Sequence, residues 1–159
     1  MGGLGTAIAL ALAIAVAGGC SRQDKPQGAA AVPPGDAACK RSQVAAAGDA
    51  LAVFIERSRT IVLQVQAYPN DPRYYVQNLE TDLKELDLLA VEADKEHVPA
   101  CTAKAKELAI GAIRGIRDAI DLRRPDVDQD RYRKAFAAAQ ESLEGYNAEI
   151  RRAALAATP

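Results

Sequence analysis

Few side chains in this sequence could do covalent, acid–base or metal chemistry. The chain of 159 residues has one histidine, His97, three cysteines, Cys20, Cys39 and Cys101, and a single methionine, Met1. A structural zinc site needs four ligands at close spacing, and no Cys-x-x-Cys pair is present to begin one. His97 follows Asp94 and Glu96, which could place carboxylates beside an imidazole, but no further ligand is near in sequence. A solvated loop histidine is the plainer reading. Asp126, Asp128 and Asp130 alternate like the opening of an EF-hand calcium loop, which requires Gly at its sixth position and Glu at its twelfth. Arg131 and Ala137 stand at those places, so the carboxylates read as helix-start residues that meet orphan N–H groups and the helix dipole. There is no Gly-x-Ser-x-Gly elbow, no His-Glu-x-x-His pair and no glycine-rich phosphate loop. Haem ligation lacks both an internal methionine and Cys-x-x-Cys-His. The expectation is a protein that is not an enzyme and carries neither metal nor cofactor.

The elements that would position these residues are helical. From Cys39 onward apolar residues recur at heptad spacing. In a segment over 39–67, Val44, Leu51, Ser58 and Val65 form one seam, and Ala47, Phe54, Ile61 and Tyr68 the other. Pro69 and Pro72 end it, and Asp71-Pro72 is a fitting restart because Asp can cap and Pro suits a first turn. A second segment, 72–96, carries Val76, Leu83 and Ala90 with Leu79, Leu86 and Ala93; a third, 99–123, carries Leu108, Ala112, Ile113, Ile116, Ala119 and Ile120. The fourth, 127–157, alternates Tyr132, Ala139, Tyr146 and Ala153 with Phe136, Leu143, Ile150 and Ala157. Short connections make sequential helices antiparallel, so the expected fold is all-α, an up-down-up-down four-helix bundle. Heptad seams suit the shallow left-handed crossing of such bundles. Gly111 and Gly115, one turn apart, permit either close helix approach or room for an apolar ligand.

Before the bundle lie two segments of different character. Met1 to Gly19 has no charged side chain and ends in Ala17-Gly18-Gly19-Cys20, after which polar sequence begins at Ser21. This stretch resembles the signal peptide of a bacterial lipoprotein, with Cys20 as the lipid acceptor. The apolar part, Leu4 to Ala17, has signal-peptide length and is short of the roughly 20 residues a membrane span needs. In that family Asp directly after the lipidated cysteine tends to retain the protein in the inner membrane. Ser21 occupies this position, so the resemblance implies residence at the outer membrane, facing the periplasm. An uncleaved N-terminal segment in the inner membrane is the alternative. The stretch from Ser21 to Ala38, broken by Pro26, Pro33, Pro34 and Gly35, reads as a spacer with an r.m.s. reach of roughly 20–25 Å.

Export would put Cys39 and Cys101 in an oxidising compartment, where a disulfide is the default and two separate buried thiols the alternative. The expected topology agrees, because helices one and three run the same way and their starts share an end. Charge fits the same order: helix two is rich in Asp and Glu, and helix three in Lys and Arg. The whole chain balances 20 Lys and Arg against 21 Asp and Glu, for a net charge of −1, which argues against nucleic acid as a partner.

Tethering through Cys20 would give the bundle a near end and a far end. The far end gathers Tyr68, Arg73, Tyr74, Tyr75, Arg123, Arg124 and Tyr132, with Arg131 and Arg133 nearby. Tyr and Arg are enriched in binding hot spots, so these residues are the candidate surface for a periplasmic protein partner. The plainer reading is that the tyrosines plug the bundle end while the arginines solvate it. A small apolar or lipid-like ligand between the helices is the alternative function.

Overall fold

The computed structural model describes residues 39–67, 77–123 and 129–159, and among them four α-helices pack as the expected bundle. They are α1 (Arg41–Ala67), α2 (Leu79–Lys95), α3 (Ala103–Asp121) and α4 (Gln129–Ala156), with a short 3-10 turn at Ala100–Thr102 leading into α3. The starts expected near residues 72 and 127 lie outside the described residues. Two limits differ from expectation for local reasons. Cys39 and Lys40 precede α1 because Lys40 pairs with Thr158 in an isolated parallel bridge. Pro99 is extended at φ −60°, ψ 151°, so the chain enters α3 through the 3-10 turn, which holds Cys101.

Local chemistry sets these starts. At α1, the Lys40 N–H donates to Gln43 Oε1 at 2.9 Å, one half of a capping box. At the 3-10 turn, the Thr102 N–H and hydroxyl both donate to the Pro99 carbonyl at 2.9 Å, so buried Thr102 leaves neither donor unpaired.

The heptad seams are the buried faces. Val44, Leu51, Ser58 and Val65 are all at most 1% exposed, and the Ser58 hydroxyl donates to the Ile55 carbonyl at 2.7 Å. Leu79, Leu83, Leu86, Ala90 and Ala93 bury the expected face of α2, joined by Leu89. In α3 the face turns slightly: Ala109 and Ile110 are buried, whereas Leu108 and Ile116 are half-buried. In α4 only Ala139, Tyr146 and Ala153 are buried, and Tyr132, Phe136, Leu143 and Ile150 stay half-exposed.

Cross-helix contacts fix the directions. At one end Cys39 meets Cys101, and Lys106 Nζ donates to the carbonyls of Asp94 and Glu96, the latter at 2.9 Å. At the other end Arg123 donates to the Val65 carbonyl at 3.0 Å. The acidic helix α2 is bound from both sides: Arg57 of α1 approaches Glu85 and Glu92 at 3.5 Å, and Arg117 of α3 approaches Asp87 at 3.2 Å. Arg117 also reaches Asp121, four residues on in the same helix, at 3.5 Å.

The bundle is unevenly closed. Among the described residues α1 and α3 pack across one diagonal, whereas α2 and α4 make no close backbone approach. The largest core cluster joins α1, α2 and α3 around Leu86, Leu89 and Ile113 and has no buried residue from α4. Helix α4 packs mainly on α3 instead. Gly115 makes this possible, because a Cβ there would lie 2.9 Å from Ala139 Cβ and 3.1 Å from Ala139 Cα. Gly111, against Ser142, lies on the same contact. The small residues of α3 therefore serve close helix approach.

Candidate functional site

Of the residues expected at the far end, Tyr68, Arg73, Tyr74, Tyr75 and Arg124 lie outside the described residues, as does Cys20. Arg123 and Tyr132 are described, and the fold brings them together on one small cleft with Val62, Val65 and Phe136. Tyr132 stacks on Phe136 with ring centroids 6.1 Å apart and planes inclined by 24°. Arg123 spends a guanidinium N–H on the Val65 carbonyl near the C-terminus of α1, where the helix dipole favours a cation. Both residues are half-buried, so they close the bundle end and still present an edge to solvent. Arg131 and Arg133 are exposed, and Arg133 approaches Asp130 at 3.5 Å within the first turn of α4.

At the opposite end the sulfurs of Cys39 and Cys101 are bonded, with Cα atoms 6.3 Å apart. They pack with Val44, Ala153, Ala154 and Ala157. The Thr158 N–H donates to the Cys39 carbonyl at 3.0 Å, and the Arg41 N–H to the Thr158 carbonyl at 2.9 Å. The start of α1, the entry to α3 and the end of α4 thus meet at one clasp. His97 is exposed in the connection beside it, and among the described residues no cluster of His, Cys, Asp or Glu could hold a metal ion. Of the aspartates that suggested a calcium loop, Asp126 and Asp128 lie outside the described residues.

Two features had no clear warning in the sequence. One is the Lys106 bond to the last carbonyls of α2, because a lysine at that position looks like one more solvated charge. The other is an open groove of about 330 Å³ between α1 and α4. Its walls are Val44, Ala45, Gly48 and Ala52 of α1 and Tyr146, Ile150 and Ala154 of α4, with Arg41 and Asp49 also lining it. The small residues Ala45, Gly48 and Ala52 at helical spacing are the only hint of it in the sequence. The groove exists because α4 leans onto α3, and it is bridged where the Tyr146 hydroxyl donates to the Gly48 carbonyl at 3.0 Å. Burial, and secondarily the charge of Asp49, push the Tyr146 phenol above its ordinary pKa, which keeps it a neutral donor.

Among the described residues no helix is long and apolar enough to cross a membrane. In comparisons with protein-family models, curated proteins and solved structures, nothing matches this chain.

Proposed function

We propose that this is a non-enzymatic, lipid-anchored protein of the bacterial envelope, tethered at the outer membrane and facing the periplasm, that acts as an adaptor or accessory factor. The observation carrying the reading is Ala17-Gly18-Gly19-Cys20, followed by a Pro- and Gly-rich spacer that joins the bundle at Cys39. Tyr132 and Arg123 stand at the other end of the helices, and their half-exposed Tyr/Arg chemistry supports a protein partner there. Covalent lipid on Cys20 is the only attached group this reading requires.

Intact-mass measurement of protein purified from membranes tests the anchor. The expected mass is that of a chain beginning at Cys20 and carrying a diacylglyceryl group. A mature chain beginning after Gly19 without that group would sink the lipid anchor. Crosslinked pulldown tests the far end, where Tyr74→Ala combined with Arg124→Ala is expected to abolish partner recovery. Unchanged recovery would remove that surface from the proposal.

The α1/α4 groove favours a second reading, a module that binds a small apolar or lipid-like molecule. Exchange of a fluorescent fatty acid into the purified protein, blocked by Ala52→Trp, distinguishes it from the first.

A further inference from the structure

We propose that the Cys39–Cys101 disulfide is a redox latch on the α1/α4 seam. Its reduction releases the C-terminal tail and the first turn of α1 and widens the groove between them, while the rest of the bundle stays folded. A core cluster of Leu51, Ile55, Tyr146, Leu143 and Ile150 closes the middle of this seam, and four further ties lie toward its clasp end. Thr158 donates to Cys39, Arg41 donates to Thr158, Val44 packs with Ala153 and Ala157, and Tyr146 reaches Gly48.

Cys39 lies outside the helix, and its carbonyl is used by the Thr158 N–H. Its position is set by that bond and by its sulfur, which joins it to Cys101 in a turn tied by the Thr102 bonds to the Pro99 carbonyl. Cutting the sulfur bond leaves the Lys40–Thr158 bridge and the packing of Val44 on Ala153 and Ala157 to hold this corner, and so short a pairing is not stable by itself. Arg41, Val44 and Ala154 line both this clasp region and the groove, so loosening one opens the other.

The rest of the fold does not depend on the sulfurs. The largest core cluster, around Leu86, Leu89 and Ile113, contains neither cysteine, and α3 grips α4 independently through Gly115 and Ala139. Both cysteines are half-buried, within reach of a small dithiol. The exchange is balanced: one thiolate of the dithiol attacks a cystine sulfur and forms a mixed disulfide. Its second thiolate then displaces that sulfur. Cys39 and Cys101 end as thiols, and the dithiol ends as its cyclic disulfide, two electrons and two protons having passed to the protein.

Hydrogen exchange on the full chain, with and without dithiothreitol, tests the latch. Reduction is expected to speed exchange over residues 41–48 and 153–158 by about tenfold or more in an early labelling window, during which 83–93 and 109–120 stay protected in both states. Unchanged exchange at the clasp would overturn the proposal, and so would an equal rise everywhere, because the disulfide would then be a global staple. The double variant Cys39→Ala with Cys101→Ala should show the reduced pattern without dithiothreitol, and its failure to fold would count against the latch. Thr158→Pro keeps the disulfide but deletes the N–H that meets Cys39. It is expected to free residues 153–158 in the oxidised protein, and persistent slow exchange there would overturn the latch, because the tail would then be held without Cys39.

Discussion

Gly115 of α3 and Ala139 of α4 approach so closely that a methyl group on Gly115 would sit 2.9 Å from the Ala139 Cβ and 3.1 Å from its Cα. No rotamer can relieve that contact, because its other side is backbone. The helices must separate to admit a side chain. Gly115→Ala is therefore expected to destabilise the protein by about 1 kcal/mol net, overpacking outweighing the gain in helix propensity. At Gly111 the added carbon would meet the Ser142 Oγ at 3.5 Å and its Cβ at 3.8 Å, both ordinary contacts. Gly111→Ala is expected to stabilise by about 0.5–1 kcal/mol. Urea denaturation of the two variants checks the opposite signs.

Cys39 and Cys101 are separated by 62 residues. In the chain-entropy model, closing such a loop stabilises by roughly 4 kcal/mol, and engineered cases often give less. Removing the disulfide by Cys39→Ala with Cys101→Ala should lower the urea midpoint by a corresponding amount while helical circular dichroism is kept at low denaturant. A midpoint equal to that of the oxidised parent would contradict this constraint.

Tyr146 couples the α1/α4 seam to pH. Its phenol pKa is raised in the folded state, first by burial and then by Asp49, so folding favours the protonated form. The stability this confers is complete below the unfolded phenol pKa near 10 and is lost as pH rises toward the folded value. Tyr146→Phe removes the bond to the Gly48 carbonyl and should cost about 1 kcal/mol at neutral pH. It should also flatten the alkaline loss of stability, readable by denaturant titration at several pH values above 9.

Two cations that look alike in the sequence should behave differently. Arg57 approaches Glu85 and Glu92 at 3.5 Å with all three side chains more than 40% exposed, and such surface pairs are worth about 0–1 kcal/mol. Lys106 is half-buried and its ammonium donates to two carbonyls at the C-terminal end of α2. Lys106→Met is expected to cost about 1–2 kcal/mol, since two carbonyls lose their cationic donor. Arg57→Ala should cost less than about 1 kcal/mol and lose its effect in high salt. Equal costs would mean that the Lys106 cap contributes no more than a surface pair.

The sequence by itself determined the helices, their inward faces and their order. Heptad spacing carries this information because residues seven apart return to the same side of a helix, so Val44, Leu51, Ser58 and Val65 could be read as one buried seam. Prolines marked the breaks, and short connections left only antiparallel neighbours, which brought Cys39 beside Cys101. Of the far-end residues, Arg123 and Tyr132 line one cleft, and Arg123 is spent on the end of α1. Only the tertiary structure decided which diagonal closes, that α4 leans on α3, that Lys106 caps α2 and that a groove opens between α1 and α4. A period along one helix says which side turns inward, not how near a neighbour will come. That distance depends on two surfaces at once, and here it was set where Gly115 met Ala139.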